Sequence, residues 1–237
     1  MLPGYPRAAM RFLRLLGKFL ISAGIGVLLF VAWTLWGTGF YTAQQQDALR
    51  TTYQRLPPLR AVAQEGGASG GSQSGGSAAT LQGPPRGYKP DAGDPVFRMI
   101  IPRIGLDMMV VEGVSEEDLK LGPGHYPSCR QGFWSPFCTS FNEVWPGQDG
   151  RVIVSGHRTT YLHPFYNLNE VQRGDKIILD TRWGRFTYVV TRQEIVDPSS
   201  HGIVVQTGSP ELVLTTCNPR YSAAQRLIVF SRLKESS

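Results

Sequence analysis

Three cysteines and four histidines stand in a chain of 237 residues. They are the natural starting point for any nucleophilic chemistry. Cys217 ends the apolar run LVLTT and precedes Asn218-Pro219, a pattern that puts a thiol at the edge of a sheet, half exposed. A thiol attacks only as thiolate and therefore needs a positive or proton-accepting neighbour. The four candidates for that partner are His125, His157, His163 and His201. Among them His157 follows the strand-like RVIVSG, in the segment SGHRTTY, at a place where a scaffold can hold a side chain over a groove. Arg226 opens the strand-like RLIVF directly after the turn NPRYSAAQ. A return strand pairing with LVLTT would bring Arg226 beside Cys217, where a guanidinium can donate to an oxyanion developing on an acyl carbon. A Cys nucleophile, a His acid/base and an Arg donor are thus permitted. The competing reading is that Cys217 is a small buried hydrophobe, in a catalytically inert binding module.

The elements that must position these residues are legible in the charge pattern. Arg7, Arg11, Arg14 and Lys18 carry four of the 24 basic charges and leave 20 basic against 18 acidic groups in the rest. The net +6 is therefore concentrated at the start, which argues against a nucleic-acid footprint. From Phe19 to Tyr41 runs a charge-free apolar stretch of 23 residues, long enough to cross a bilayer, with Trp33, Trp36, Phe40 and Tyr41 clustered at its far end. It is longer than the apolar core of a cleavable signal peptide. The expected organisation is a basic cytoplasmic tail over 1–18 and a transmembrane signal anchor over 19–41. Residues 42–95 are a juxtamembrane segment and linker, and 96–237 an extracellular domain. A short helix is expected just after the anchor, ending before Pro57-Pro58. Gln64 to Thr80 holds six Gly and four Ser in 17 positions, the composition of a flexible tether that would give the domain reach. Outside the cytoplasm disulfides persist. Cys129 and Cys138, nine positions apart in SCRQGFWSPFCTS, are expected to close a loop and leave Cys217 as the odd thiol.

Beyond residue 95 the sequence is mainly β. Val96 to Ile101, Met108 to Glu112, Arg151 to Ser155, Lys176 to Asp180, Phe186 to Arg192, Glu211 to Thr216 and Leu227 to Leu233 are short runs punctuated by Gly, Pro, Asp and Asn. Seven or eight such strands, with one or two short helices including Ser115 to Lys120, predict a sandwich or closed barrel. Thr181-Arg182-Trp183-Gly184 reads as a hairpin loop. No metal-ligand cluster stands out, and no cofactor is expected.

LVLTTCNPRYSAAQRLIV resembles the TLxTC-to-Arg signature of sortases, the surface-protein transpeptidases of Gram-positive bacteria, and SGHRTTY resembles the family's catalytic His segment. IPRIGLDMMVVEGV, GPGHYP, GHRTTY and the GD of RGDKI, in that order, are most similar to class E sortases of actinobacteria. The resemblance implies an eight-stranded sortase β-barrel with Cys217 as nucleophile, His157 as catalytic histidine and Arg226 as oxyanion donor. It implies transpeptidation: cleavage between Thr and Gly of a C-terminal sorting signal, through a thioester, and transfer to a peptidoglycan precursor amine. The partners would be sorting-signal-bearing surface proteins and the membrane, with no nucleic acid. Class E enzymes favour Leu-Ala-x-Thr-Gly over Leu-Pro-x-Thr-Gly, and Tyr126 of GPGHYP is a candidate selector. Thr216 and His125 are further candidates for the groove. A pilin-polymerising enzyme using a Lys side chain is the alternative within the family. One departure is SCRQGFWSPFCTSFNEVWPGQDG, inserted before the strand leading to His157. With Phe133, Trp134 and Phe137 it either shapes the groove, meets a partner or covers its own apolar patch.

Overall fold

Alternation decides which way each strand faces. Along β8 (Gly184–Val196) Phe186, Tyr188 and Val190 are buried and the residues between them are not, the period of a strand with one face on a core. In β9 (Pro210–Asn218) the alternation disappears, because Glu211 to Thr216 are all buried. That is the pattern of a strand covered on both faces. The remaining barrel strands are β3 (Pro95–Ile101), β4 (Leu106–Glu112), β5 (Gly124–His125), β6 (Gly150–Ser155), β7 (Lys176–Thr181) and β10 (Gln225–Ser236). In the computed structural model, which describes residues 7–33, 37–59, 62–63, 82–128, 143–200, 202 and 205–237, these eight close a barrel in the order β10-β8-β7-β3-β4-β5-β6-β9. Pairing is antiparallel except between β4 and β5 and between β6 and β9. All seven expected runs are strands, and Thr181 pairs with Gly184 across the expected hairpin. The two-residue β5 is the eighth.

Phe97, Met99, Ile177, Leu179, Tyr188 and Leu212 fill the barrel. Burying each such side chain is worth about 1.5–3 kcal/mol. Outside, Ile153, Val213, Ile228 and Phe230 form a second, smaller cluster, against which Tyr126 and Val196 pack. This covered outer face is the one that carries the groove described below.

Helix α3 (Glu116–Leu121) is short and starts with a reciprocal cap: the Asp118 backbone N–H donates to Ser115 Oγ at 3.3 Å, and Ser115 N–H donates to Asp118 Oδ2 at 3.0 Å. Two longer helices precede the barrel. In α1 (Arg7–Ala32), Arg11–Ala32 is apolar and long enough to cross a membrane. It ends short of Tyr41; Phe40 and Tyr41 belong instead to α2 (Thr38–Arg55), which follows the weak helix former Gly37.

The helix expected after the anchor is α2, and it lies on the barrel. The parallel pairing of the short β5 reaches only Val111 and Glu112 of β4, leaving the edge of β4 open further back. α2 closes that edge. Gln46 behaves like a piece of strand: its Oε1 accepts from Met109 N–H at 2.7 Å, and its Nε2 donates to Met109 O at 3.0 Å and Leu121 O at 2.9 Å. One turn earlier Thr42 Oγ1 donates to Lys120 O at 2.9 Å, and one turn later Arg50 Nη2 donates to Asp107 O. An exposed strand edge is thereby satisfied by side chains. After α2, Leu59 N–H donates to Arg182 O at 2.8 Å, and β1 (Val62–Ala63) pairs antiparallel with β2 (Gln82–Gly83). That pairing sets Ala63 and Gln82 side by side, and the Gly/Ser-rich stretch between them lies outside the described residues.

Candidate active site

Strand register brings the chemistry together. Cys217 is paired with Arg226 across β9 and β10, and directly opposed residues project from the same face. Both follow the outward set, since Val213 and Ile228 of the outer cluster lie an even number of residues away. On the other side of β9, β6 runs parallel, with Ser155 opposite Thr215. Gly156 N–H donates to Thr215 O at 3.2 Å, and Thr216 Oγ1 donates to Gly156 O at 2.7 Å. His157 thus leaves its strand level with Cys217. Gly156 admits no side chain, because a Cβ there would lie 2.7 Å from the Phe165 ring.

Cys217, His157, Arg226, Thr216 and Tyr126 line one groove of about 270 Å³, walled by Val114, Leu119 and Pro198. Cys217 is half-buried and free. Burial pushes the pKa of His157 below the ordinary imidazole value, outweighing the opposite pull of Glu116, while Lys120 reinforces the shift. His157 is therefore held neutral, and its Nε2 is buried without a protein partner among the described residues. Arg226 Nη1 donates to the carbonyls of Ala223 at 3.0 Å and Gln225 at 3.1 Å, which fixes the guanidinium on its own turn. Burial raises the Tyr126 pKa, and the charge of Arg226 pulls the other way. A neutral base, a thiol and a fixed cation around one groove can carry out acyl transfer.

His125 does not join them. It is 1% exposed, its Nδ1 lies 2.8 Å from Glu112 Oε2 and its Nε2 3.1 Å from Val144 O, and its ring stacks on Trp145 with centroids 4.5 Å apart. The reason is β5: successive strand residues face opposite ways, so Tyr126 at the groove turns His125 into the barrel. Thr216 lines the groove and also ties β9 to Gly156. His163 is exposed against Tyr166 on another part of the surface. His201, Cys129, Cys138 and the aromatic residues Phe133, Trp134 and Phe137 lie outside the described residues.

Two neighbours in the GHRTTY segment were not singled out by the sequence. Arg158 bonds the Cys217 carbonyl, and the Tyr161 ring lies 5.1 Å from that of His157, tilted by 34°. Tyr161, Leu162 and His163 are all left-handed, with φ of 51°, 58° and 38°. Backbone of this kind is strained for residues with a Cβ. No glycine marks the turn, so composition gives no signal for it.

The Sortase domain family matches residues 99–234. Sortase D of Bacillus subtilis is 32% identical over 149 residues, 61% of this chain and 67% of that protein. Sortase SrtE1 of Streptomyces coelicolor is 26% identical over 241 residues, 97% of this chain but 59% of that protein, so the chain spans less than two thirds of this relative. Among solved structures, sortase E from Streptomyces avermitilis superposes with a TM-score of 0.50 at 30% identity, covering 62% of this chain and 92% of that one. The domain match, the closed eight-stranded barrel and the groove agree: the chain belongs to the sortase family of transpeptidases.

Proposed function

We propose that this chain is a membrane-anchored, class E-like sortase that cleaves a sorting signal between Thr and Gly and joins the acyl part to a peptidoglycan amine. The observation that supports it most is the cross-strand pairing of Cys217 with Arg226 in a groove shared with His157. Neutral His157 takes the thiol proton, and Sγ of Cys217 attacks the Thr carbonyl carbon. The oxyanion is met by Arg226 through the guanidinium N–H groups that its own turn does not use. Collapse breaks the C–N bond, His157 returns its proton to the departing Gly amine, and a thioester remains. The acceptor amine attacks that thioester, gives up a proton to His157, and releases the Cys217 thiol as the new amide forms.

Arg7, Arg11, Arg14 and Lys18 keep the N-terminus in the cytoplasm and the barrel outside, where the substrate's signal is also held at the membrane. Tyr126, on the groove wall near Arg226, selects the second motif residue and favours Leu-Ala-x-Thr-Gly. The test is intact mass after incubation with Leu-Ala-x-Thr-Gly and Leu-Pro-x-Thr-Gly peptides side by side. An acyl adduct on Cys217, formed faster with the Leu-Ala peptide, is expected; no adduct with either peptide rejects the reading. Adding a diaminopimelate-like amine or a pilin Lys peptide then distinguishes wall anchoring from polymerisation.

A further inference from the structure

Arg158 is 5% exposed, yet among the described residues every acceptor it engages is neutral. Its Nη1 donates to Cys217 O at 3.0 Å and Asn218 Oδ1 at 2.6 Å, its Nη2 donates to Asn169 Oδ1 at 2.9 Å, and its Nε is buried without a protein partner among the described residues. A guanidinium stays protonated in proteins, and a buried charge without a counter-charge is costly. The contrast with Arg151 is direct: its half-buried side chain has Glu211 at 3.0 Å. Arg220, next to Arg158, stacks on Tyr166 with 4.1 Å to the ring centroid and has Glu170 at 3.7 Å. Burial and the nearby Arg220 both work against the charge on Arg158, while Cys217 and Tyr166 favour it. A phenol is neutral near pH 7, whereas the proposed reaction uses Cys217 as its thiolate.

We infer that Arg158 is a positioning residue for the nucleophile: its unneutralised guanidinium fastens the Cys217–Asn218 end of β9 to the His157 loop and is the built-in counter-charge of the Cys217 thiolate. This rests on the proposed role of Cys217. It gives the two arginines separate work. Arg226, paired across the strand, faces the groove where the substrate oxyanion forms, whereas Arg158 grips the nucleophile from its backbone side and favours the anion before substrate arrives.

The test is the pH profile of iodoacetamide alkylation of the full chain in detergent, read by mass on the peptide containing Cys217. Among the described residues, the other charged and titratable groups that line the groove or act on Arg158 and His157 are His157 itself, Arg226, Tyr126, Arg220, Tyr166, Glu116 and Lys120, and all stay unchanged. Arg158→Gln is expected to slow alkylation at pH 7 about tenfold and move the profile roughly one pH unit upward. It should lower kcat for the sorting peptide more than it changes KM. Arg158→Lys, which keeps the charge but not the planar fork, should restore most of the profile. Asn169→Asp places a carboxylate, with no cavity, at the exposed position whose oxygen accepts from both Arg158 Nη2 and Arg220 Nη2, so that Arg158 gains a counter-charge other than the thiolate. It must move the profile the same way even if Arg158→Gln does not fold. Profiles of Asn169→Asp and of any folded Arg158→Gln that coincide with wild type overturn the inference. Wild-type protein that forms no thioester with a sorting peptide overturns the proposed function instead, so the two failures are separable.

Discussion

The barrel interior around His125 and the groove around His157 are built from adjoining strands, and they treat an imidazole in opposite ways. Inside, His125 is enclosed: a carboxylate on one nitrogen, a carbonyl on the other and an indole against its face. At the groove, His157 keeps a buried Nε2 with no partner among the described residues and leans on Tyr161, part of a strained left-handed turn. Inside the barrel both ring nitrogens of His125 are spent on holding the fold. The groove leaves bonding capacity open, the usual arrangement where a proton must move.

The largest effect expected from this contrast is on chemistry. Cys217→Ala should abolish the thioester, and His157→Ala should slow its formation by about 10²–10⁴-fold. Arg226→Ala should cost about 10²–10³-fold if it meets the oxyanion. Glu112→Ala, in contrast, removes one partner of a buried pair 2.8 Å apart. It should lower stability by about 3–5 kcal/mol while the folded fraction retains its turnover. Single-turnover rates corrected for folded fraction by urea titration make the comparison. A rate collapse in Glu112→Ala at full folding would end the distinction between the two histidines.

The pH dependences should run in opposite directions. Burial pushes the Glu112 carboxyl up to about 7 against the pull of His125. For His125, burial opposes the charge, but attraction and hydrogen bonding from Glu112 outweigh it and the pKa rises. The pair titrates as a unit and keeps a proton that an unfolded His releases near pH 6.5. Folded protein then binds more protons than unfolded above that pH, so stability should fall as pH rises through neutrality. His157, with a lowered pKa, contributes the reverse: the folded state resists protonation, so its share of stability is lost as pH falls below about 6.5. Melting temperatures from pH 5 to 9 should therefore decline on the alkaline side in wild type and flatten there in Glu112→Gln. Thioester formation should fade on the acid side in both.

How much of this was legible follows from period and range. The seven longer strands announced themselves because β-branched and aromatic runs are bounded by turn residues, and the Cys217–Arg226 pairing follows from a tight return strand. His157 stood out by its place at the end of RVIVSG, and motif resemblance then implied its role. His125 was misplaced because β5 has two residues, too few for alternation to declare a face, and a slip of one residue reverses inside and outside. Arg158 was passed over because its role depends on acceptors in Asn169 and Asn218, distant in sequence. The docking of α2 was invisible for a similar reason: Gln46 looks like a solvated residue until the open edge of β4 is known.

That docking sets the smallest effects. Gln46→Ala would leave the Met109 N–H and two carbonyls without their partner, at about 1–3 kcal/mol, seen as a lower urea midpoint with thioester formation intact. Removing residues 66–77 should do less still. If the Gly/Ser stretch were a spacer, shortening it would pull the groove away from membrane-held substrates and reduce wall-linked product in cells. In this fold α2 already fastens the barrel next to α1, and β1 and β2 hold the two ends of the stretch together. Loop length then enters only through closure entropy, about 0.6 kcal/mol for each halving. Shortening should slightly favour folding and leave the yield of wall-linked substrate unchanged, whereas a steep loss of yield with length would return the stretch to the role of a tether.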